Sequence, residues 1–227
     1  MELENIIYPG FNKTLSELNA ISKIKKKSCE IVDLTEIEWV RDVLRHRVEE
    51  VGTYDIKFRK PTDEEIKSVS EIVGADINID ELKNNFHKNK RIIGITSGKG
   101  GVGKSTITSL LGIAFDELGK KVGIMDSDIW GYSVPKILGA KFPPIPFNER
   151  IFPSRINNLN VISMDYFVKQ DEAVIWRGPM LHKAIEQFLF EVLWHDIDVL
   201  LIDMPPGTGD VSISLSQFLK YFENIVV

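Results

Sequence analysis

The chain has 227 residues, 43% of them hydrophobic and 27% charged, with 28 basic and 33 acidic side chains and a net charge of −5. That balance suits one well-filled core with a smaller appendage and excludes a disordered tail, a collagen-like repeat or a disulfide-held miniature scaffold. Residues 1–90 carry 15 basic and 18 acidic side chains and the remainder 13 and 15, so no region has the charge footprint of a nucleic-acid or anionic-membrane binder. Cys29 is the single cysteine, which leaves no intramolecular disulfide and no C-x-x-C pair within the chain. With no basic leader before a long apolar run, the expectation is a cytoplasmic protein with neither a membrane nor a nucleic-acid partner.

Up to residue 88 the pattern predicts a small α+β domain. Thr35 and Glu38 fit a capping box before the stripe Ile37, Val40, Val43, Leu44 and Val48, a helix that ends near Gly52. A short strand is expected at 54–58, then a helix opened by Pro61-Thr62-Asp63-Glu64-Glu65 and closed by Gly74. The polar run Asn84–Lys90 reads as a linker. From residue 89 to 227 apolar strands alternate with helices: strand 92–96, helix 104–118 closed by Gly119, and strand 121–125 form one βαβ unit. Further strands are expected at 159–163 and 198–202, with Met180, Ala184, Ile185, Phe188, Leu189 and Val192 on the inward face of a helix between them. A helix over 211–221 and a strand begun by Asn224-Ile225-Val226-Val227 follow. The fold class is therefore α/β, a mostly parallel sheet with helices on both faces, incomplete at its C-terminal end because a buried parallel strand should lead onward.

Gly98-Lys99-Gly100-Gly101-Val102-Gly103-Lys104-Ser105 satisfies G-x-x-x-x-G-K-[ST] between a predicted strand and a predicted helix. Glycines let successive N–H groups converge on one anion, Lys104 neutralises phosphate charge, and Ser105 is placed to hold Mg²⁺. Two further carboxylates fall at predicted strand ends, where ligands bind in open α/β sheets. Asp203 ends Val199-Leu200-Leu201-Ile202 as a Mg²⁺-holding Asp would, and Asp126 caps the strand beside the loop. Asp128 either orients an attacking water or satisfies its own turn. Pro205-Pro206-Gly207-Thr208-Gly209-Asp210 reads either as a switch that senses the terminal phosphate or as a structural loop.

The loop Lys99-Gly100-Gly101-Val102-Gly103-Lys104-Ser105-Thr106 resembles the deviant Walker A of the ATPase class that includes MinD and ParA, marked by an early lysine, here Lys99. Three blocks, Met125–Pro135, Trp176–Leu189 and Leu201–Asp210, are similar to the Mrp/ApbC branch, the iron–sulfur cluster carrier ATPases. The resemblance runs from about Ile92 to Val227. It implies an ATP- and Mg²⁺-dependent homodimer in which Lys99 reaches the partner's phosphates and Asp128 positions water, hydrolysis being slow and coupled to delivery of a [4Fe–4S] cluster to apoproteins. In that branch the cluster is held by a C-x-x-C pair C-terminal to this chain's last residue. The alternatives are a MinD/ParA-like spatial organiser acting on membrane or DNA, and a nucleotide-binding remnant without cluster function.

Other residues read more plainly. Cys29, after Lys25-Lys26-Lys27, is expected to be a surface or half-buried thiol and the lysines a solvated face. His46, His87, His182 and His195 lack zinc-ligand spacing. Trp176 and Arg177 suit a partner-facing patch, and Trp39, Trp130 and Trp194 suit core or half-buried packing.

Overall fold

The computed structural model describes residues 2–25, 27–88, 90–167, 178–194, 197–207 and 209–227. Trp176, Arg177, His195, Thr208 and Lys26, all named above, lie outside the described residues. The chain divides into two compact units, Met1–Ile77 with Ile145–Phe152, and Asn78–Pro144 with Pro153–Val227. This differs from the boundary expected at residue 88.

The first unit begins with a two-stranded pair, β1 (Ile7–Tyr8) and β2 (Lys13–Thr14). β3 (Ile21–Lys25) and β4 (Ser28–Val32) pair antiparallel, and α1 (Glu38–Val51) crosses to β5 (Asp55–Arg59), which pairs parallel with β4. Val40, Leu44 and Val48 recur every fourth residue, so they fall on one stripe of α1 and are fully buried. The capping box expected at its start does not form. Ile37 occupies the cap position with no side-chain bond, Thr35 Oγ1 accepts from Ile37 N at 3.3 Å, and Glu38 turns to Arg41 and Arg45. The box stands instead at α2 (Asp63–Ile72): Thr62 Oγ1 accepts from Glu65 N at 3.2 Å while Glu65 Oε2 accepts from Thr62 N at 2.9 Å. Arg59 adds a two-pronged bond to the same carboxylate. Cys29 sits in β4 and is 3% exposed, not a surface thiol, because its strand is the middle one of three.

The second unit starts with α3 (Ile79–Asn85), where a linker was expected. Asn78 caps it by accepting from Asp80 N at 2.8 Å, Lys83 pairs with Glu186 at 2.6 Å, and Phe86 meets Phe190 edge to face at 5.2 Å. β6 (Arg91–Thr96), α4 (Lys104–Glu117), β7 (Val122–Asp126) and α5 (Val134–Leu138) follow. The chain then contributes a hairpin to the first unit, β8 (Ile145–Phe147) and β9 (Arg150–Phe152). Its two loop residues, Asn148 and Glu149, both have positive φ, the geometry that matches strand twist. Phe147 and Phe152 pack on Phe11, with ring centroids at 5.1 and 4.3 Å, and buried Arg150 donates to the carbonyls of Ala75 and Ile77.

Back in the second unit, β10 (Ser154–Ile156) and β11 (Leu159–Ser163) form an antiparallel pair, and α6 (Pro179–Phe190), β12 (Val199–Asp203), α7 (Asp210–Phe218) and β13 (Glu223–Val226) complete the described elements. The sheet order is β10-β11-β7-β12-β6-β13, parallel from β11 to β13. β7 and β12 are buried at every residue, as expected of central parallel strands. The inward face of α6 runs through Leu181, Ala184, Ile185, Phe188 and Leu189. Met180, expected on that face, is 47% exposed because it lies one residue, and so about 100° of helix rotation, out of phase. Val192 is buried but lies beyond the helix end. Trp194 is core, its indole N–H bonded to Phe188 O at 2.7 Å, whereas Trp130 is exposed, contrary to expectation. No helix among the described residues is long and apolar enough to cross a membrane.

Arg59 and the Thr62 backbone hold the Glu65 carboxyl down at about 2. The stabilisation this brings is full above the ordinary carboxylate value of 4.5 and is lost as pH falls toward 2. Glu65→Gln is therefore expected to flatten the acid limb of a pH–stability curve followed by circular dichroism, and Thr62→Ala to cost about 1 kcal/mol at neutral pH.

Candidate functional site

The register of three strands sets the site. Asp203, the last residue of β12, is level with Asp126 at the end of β7 and with Ile95 on β6. Because parallel strands end together, the loops that leave them converge at one edge of the sheet.

From β6 the chain enters the glycine loop. Ser97, buried, donates its hydroxyl to Lys99 O at 2.7 Å and so sets the first bend. Gly101 and Gly103 take φ of 75° and 94°, a left-handed backbone that side chains resist. A Cβ built on Gly98, Gly100, Gly101 or Gly103 would meet nothing within 4 Å, so the space beside each is open. Gly103 caps α4 without a side-chain bond, which leaves the first N–H groups of the helix available to an anion. Val102 is half-buried, and Lys99 and Thr106 are exposed. Lys104, the first residue of α4, is 6% exposed, with Nζ 3.6 Å from Asp128 Oδ2.

Asp126 holds the second loop. Its Oδ1 accepts from Asp128 N at 3.4 Å, and its Oδ2 accepts from Ser133 N, Val134 N and Ser163 Oγ at 3.2, 3.3 and 3.0 Å. Of the two roles weighed for Asp128, the turn contact is present, Oδ1 accepting from Trp130 N and Gly131 N at 3.2 and 3.1 Å, while Oδ2 faces Lys104. The third loop leaves Asp203 through Met204, whose N–H bonds Ile95 O, and Gly207 N donates to Ser97 O at 2.9 Å. Ser127 ties loops two and three, donating both its N–H and its hydroxyl to Asp203 O at 2.9 and 2.7 Å.

The electrostatics follow from this crowding. Burial pushes the Asp126 carboxyl up to about 7, with the Asp203 charge adding to the rise. Asp203 is raised as well, by burial first, while Ser105, Lys104 and Thr108 offset part of it. Its Oδ1 accepts from Thr108 Oγ1 at 3.3 Å, but Oδ2 is buried with no hydrogen-bond partner among the described residues. An orphaned carboxylate oxygen beside a serine hydroxyl and a second carboxylate fits a hard divalent cation such as Mg²⁺. The open glycine cradle with its lysine fits a phosphate chain.

A cleft of about 580 Å³ opens at this edge, lined by the glycine loop with Lys104, Ser105 and Thr106, by Asp128, Trp130, Gly131 and Ser133, and by Pro205 and Pro206. Lys104, Ser105, Asp126, Asp128 and Asp203 are thus brought to one edge of the sheet. Sequence reasoning missed Ser97, Ser127, Thr108 and Ser163, whose buried hydroxyls bond Lys99 O, Asp203 O, Asp203 Oδ1 and Asp126 Oδ2 in turn. Their one signal was position, a hydroxyl residue at or directly after a strand end or one turn inside a helix. Among the described residues no group of three or more His, Cys, Asp or Glu side chains is arranged for a metal.

Comparison with known proteins agrees with this geometry. A family model described as "ParA: NUBPL iron-transfer P-loop NTPase" matches residues 88–227. The iron–sulfur cluster carrier protein of Mycobacterium leprae is 47% identical over 137 residues, covering 60% of this chain and 36% of that protein. The protein of the same description from Helicobacter pylori is 34% identical over 232 residues, covering 99% of this chain and 62% of that protein. The chain thus spans between a third and two thirds of the length of these curated relatives. Among solved structures, a nucleotide-binding protein from Archaeoglobus fulgidus in complex with ADP is similar at 33% identity and a TM-score of 0.54, covering 66% of this chain and 59% of that one.

Removing one of the two neighbouring buried charges relieves repulsion but also removes the orphaned oxygen. Asp203→Asn is expected to raise the unfolding temperature of the cation-free protein by roughly 3 °C and to abolish any further rise on adding Mg²⁺ with nucleotide. Differential scanning calorimetry checks both. An equal Mg²⁺ response in the variant would remove Asp203 from the cation site.

Proposed function

The chain belongs to the family of NUBPL iron-transfer P-loop NTPases, and from that premise we propose that it binds ATP with Mg²⁺, hydrolyses it slowly, and serves in the carriage of [4Fe–4S] clusters to apoproteins. One observation carries the nucleotide part of this reading. Buried Lys104 stands at the mouth of the open glycine loop, 3.6 Å from Asp128, at the edge where Asp203 keeps an unbonded oxygen.

The roles follow from position. The N–H groups of residues 100–106 cradle the phosphate chain, and Lys104 turns from Asp128 to the β- and γ-phosphate oxygens as they arrive. Asp128, with Oδ1 fixed by its own turn, offers Oδ2 to the attacking water once Lys104 has left it for the phosphates. Ser105 and Asp203 hold Mg²⁺, which supplies charge neutralisation to the phosphates. Asp126, committed to four hydrogen bonds, contributes to the cation through position and charge. Lys99, exposed at the loop, is free to act on the phosphates of a second copy in a homodimer, stabilising charge that develops in the transition state.

The cluster is cargo in this reading, and its carriage rests on kinship. Cys29 lies in the first unit, is buried, and has its thiol pushed up first by burial and then by Asp55, so it is not the reactive thiolate that a cluster needs. The apoprotein recipients and the coupling of hydrolysis to delivery belong to the same proposal. It is tested by depleting the protein in its source cell and assaying [4Fe–4S] enzymes against enzymes without clusters; equal activity in both classes would overturn cluster carriage.

The two lysines separate binding from chemistry. Lys104→Ala is expected to weaken ATP binding about 100-fold in calorimetric titration. Lys99→Ala is expected to leave binding within about threefold while lowering phosphate release more than about tenfold. Normal hydrolysis by Lys99→Ala would remove that lysine from the mechanism.

A further inference from the structure

We propose that Trp130 is a movable wall of the nucleotide cleft, whose indole closes toward Pro205 and Pro206 when a nucleoside triphosphate is bound and shields the Asp128 end from bulk water. The inference rests on the nucleotide-binding reading above and adds to it a residue outside the phosphate-binding motifs.

Trp130 is 67% exposed although it lines the cleft. An indole left in water forfeits the burial of a large apolar surface, and the same chain buries Trp194 completely enough to bond its indole N–H to a backbone carbonyl. Pro205 and Pro206, on another loop of the same cleft, also present apolar surface there, Pro206 exposed and Pro205 half-buried. The rest of the lining is glycine, hydroxyl and charge. The large apolar surfaces of the cleft therefore sit on two separate loops, and closing one on the other would dry the space between them.

The turn that carries Trp130 is tied to the phosphate-binding groups. Asp126 clamps it at both ends, through Asp128 N and through Ser133 N and Val134 N, and Ile129 is buried. Between the clamps, the Trp130 N–H hangs on Asp128 Oδ1 at 3.2 Å. Gly131 packs so closely that a Cβ there would lie 3.0 Å from Asp128 Oδ2. Any reorientation of the Asp128 carboxylate is thus passed to residues 130 and 131. Oδ2 itself faces Lys104 at 3.6 Å. Phosphate oxygens compete for Lys104, release Oδ2, and shift the turn, so the triphosphate itself provides the differential interaction that closure requires. Closure strengthens the electrostatics around the phosphates and limits the water that reaches them to the one Asp128 holds.

The test compares the wild-type chain with Trp130→Phe, so that the difference in emission belongs to residue 130. A non-hydrolysable ATP analogue with Mg²⁺ is expected to shift that emission to the blue and to cut its acrylamide quenching at least about twofold, while ADP leaves it near the free value. Trp130→Ala is expected to lower kcat about tenfold with KM within about threefold, and Trp130→Phe to retain most of kcat. Equilibrium dialysis with labelled analogue is run alongside. Unchanged quenching with analogue bound would overturn the closing wall and leave nucleotide binding standing, whereas no bound analogue would overturn the nucleotide reading and the wall together. Protection that rises with protein concentration would assign the cover to a second copy of the chain and overturn closure within one.

Discussion

Two carboxylates buried side by side organise the second unit. The register that sets β12 between β6 and β7 makes Asp203 and Asp126 neighbours at the strand ends, and burial of two like charges there is costly unless a proton or a cation intervenes. The surrounding loops are arranged around that cost. Asp126 discharges its demand on the backbone of the turn it precedes, so the turn forms only as the carboxylate is satisfied. Asp203 satisfies one oxygen with Thr108 and keeps the other open. Two such carboxylates are destabilising by themselves, and a cation bound between the loops would offset part of that cost.

The glycine loop depends on the same edge. Ser97 receives Gly207 N on its carbonyl and donates its hydroxyl to Lys99 O, so the phosphate cradle and the Asp203 loop share a residue. Ser127 performs the matching link between the Asp203 and Asp126 loops. Three loops that are separate in sequence are thus bonded into one set.

Much of this edge was legible in the sequence because its chemistry is local. A strand, a glycine-rich turn and a helix are adjacent in the chain, and Asp203 ends an unbroken apolar run, so periodicity and spacing sufficed to place Lys104, Ser105, Asp126 and Asp203. What depends on distant partners was not legible. The Asn84–Lys90 region reads as polar linker, and α3 reaches into it because Lys83 and Phe86 meet Glu186 and Phe190 about a hundred residues on. The Asn148-Glu149 hairpin has no glycine to announce its positive φ. Trp130 is apolar in composition and exposed in fact, since its turn is set by Asp128 and not by burial. Met180 and Leu181 differ by one residue, and the start of α6 at Pro179 decides which faces inward.

The hairpin β8–β9 has a consequence for how the protein is made. Residues 1–77 contain most of the first unit, including Tyr8 against Phe11, yet two further ring partners of Phe11 and the guanidinium that satisfies Ala75 O and Ile77 O arrive only with residues 145–152. On a ribosome adding ~5–20 residues per second, the emerging N-terminal segment waits roughly 4–15 s for its missing strands. Through that interval an aromatic cluster lies open to the surroundings. The first unit is thus the first to be synthesised and not the first that can finish folding, which makes it the natural client of whatever holds nascent chains from aggregating.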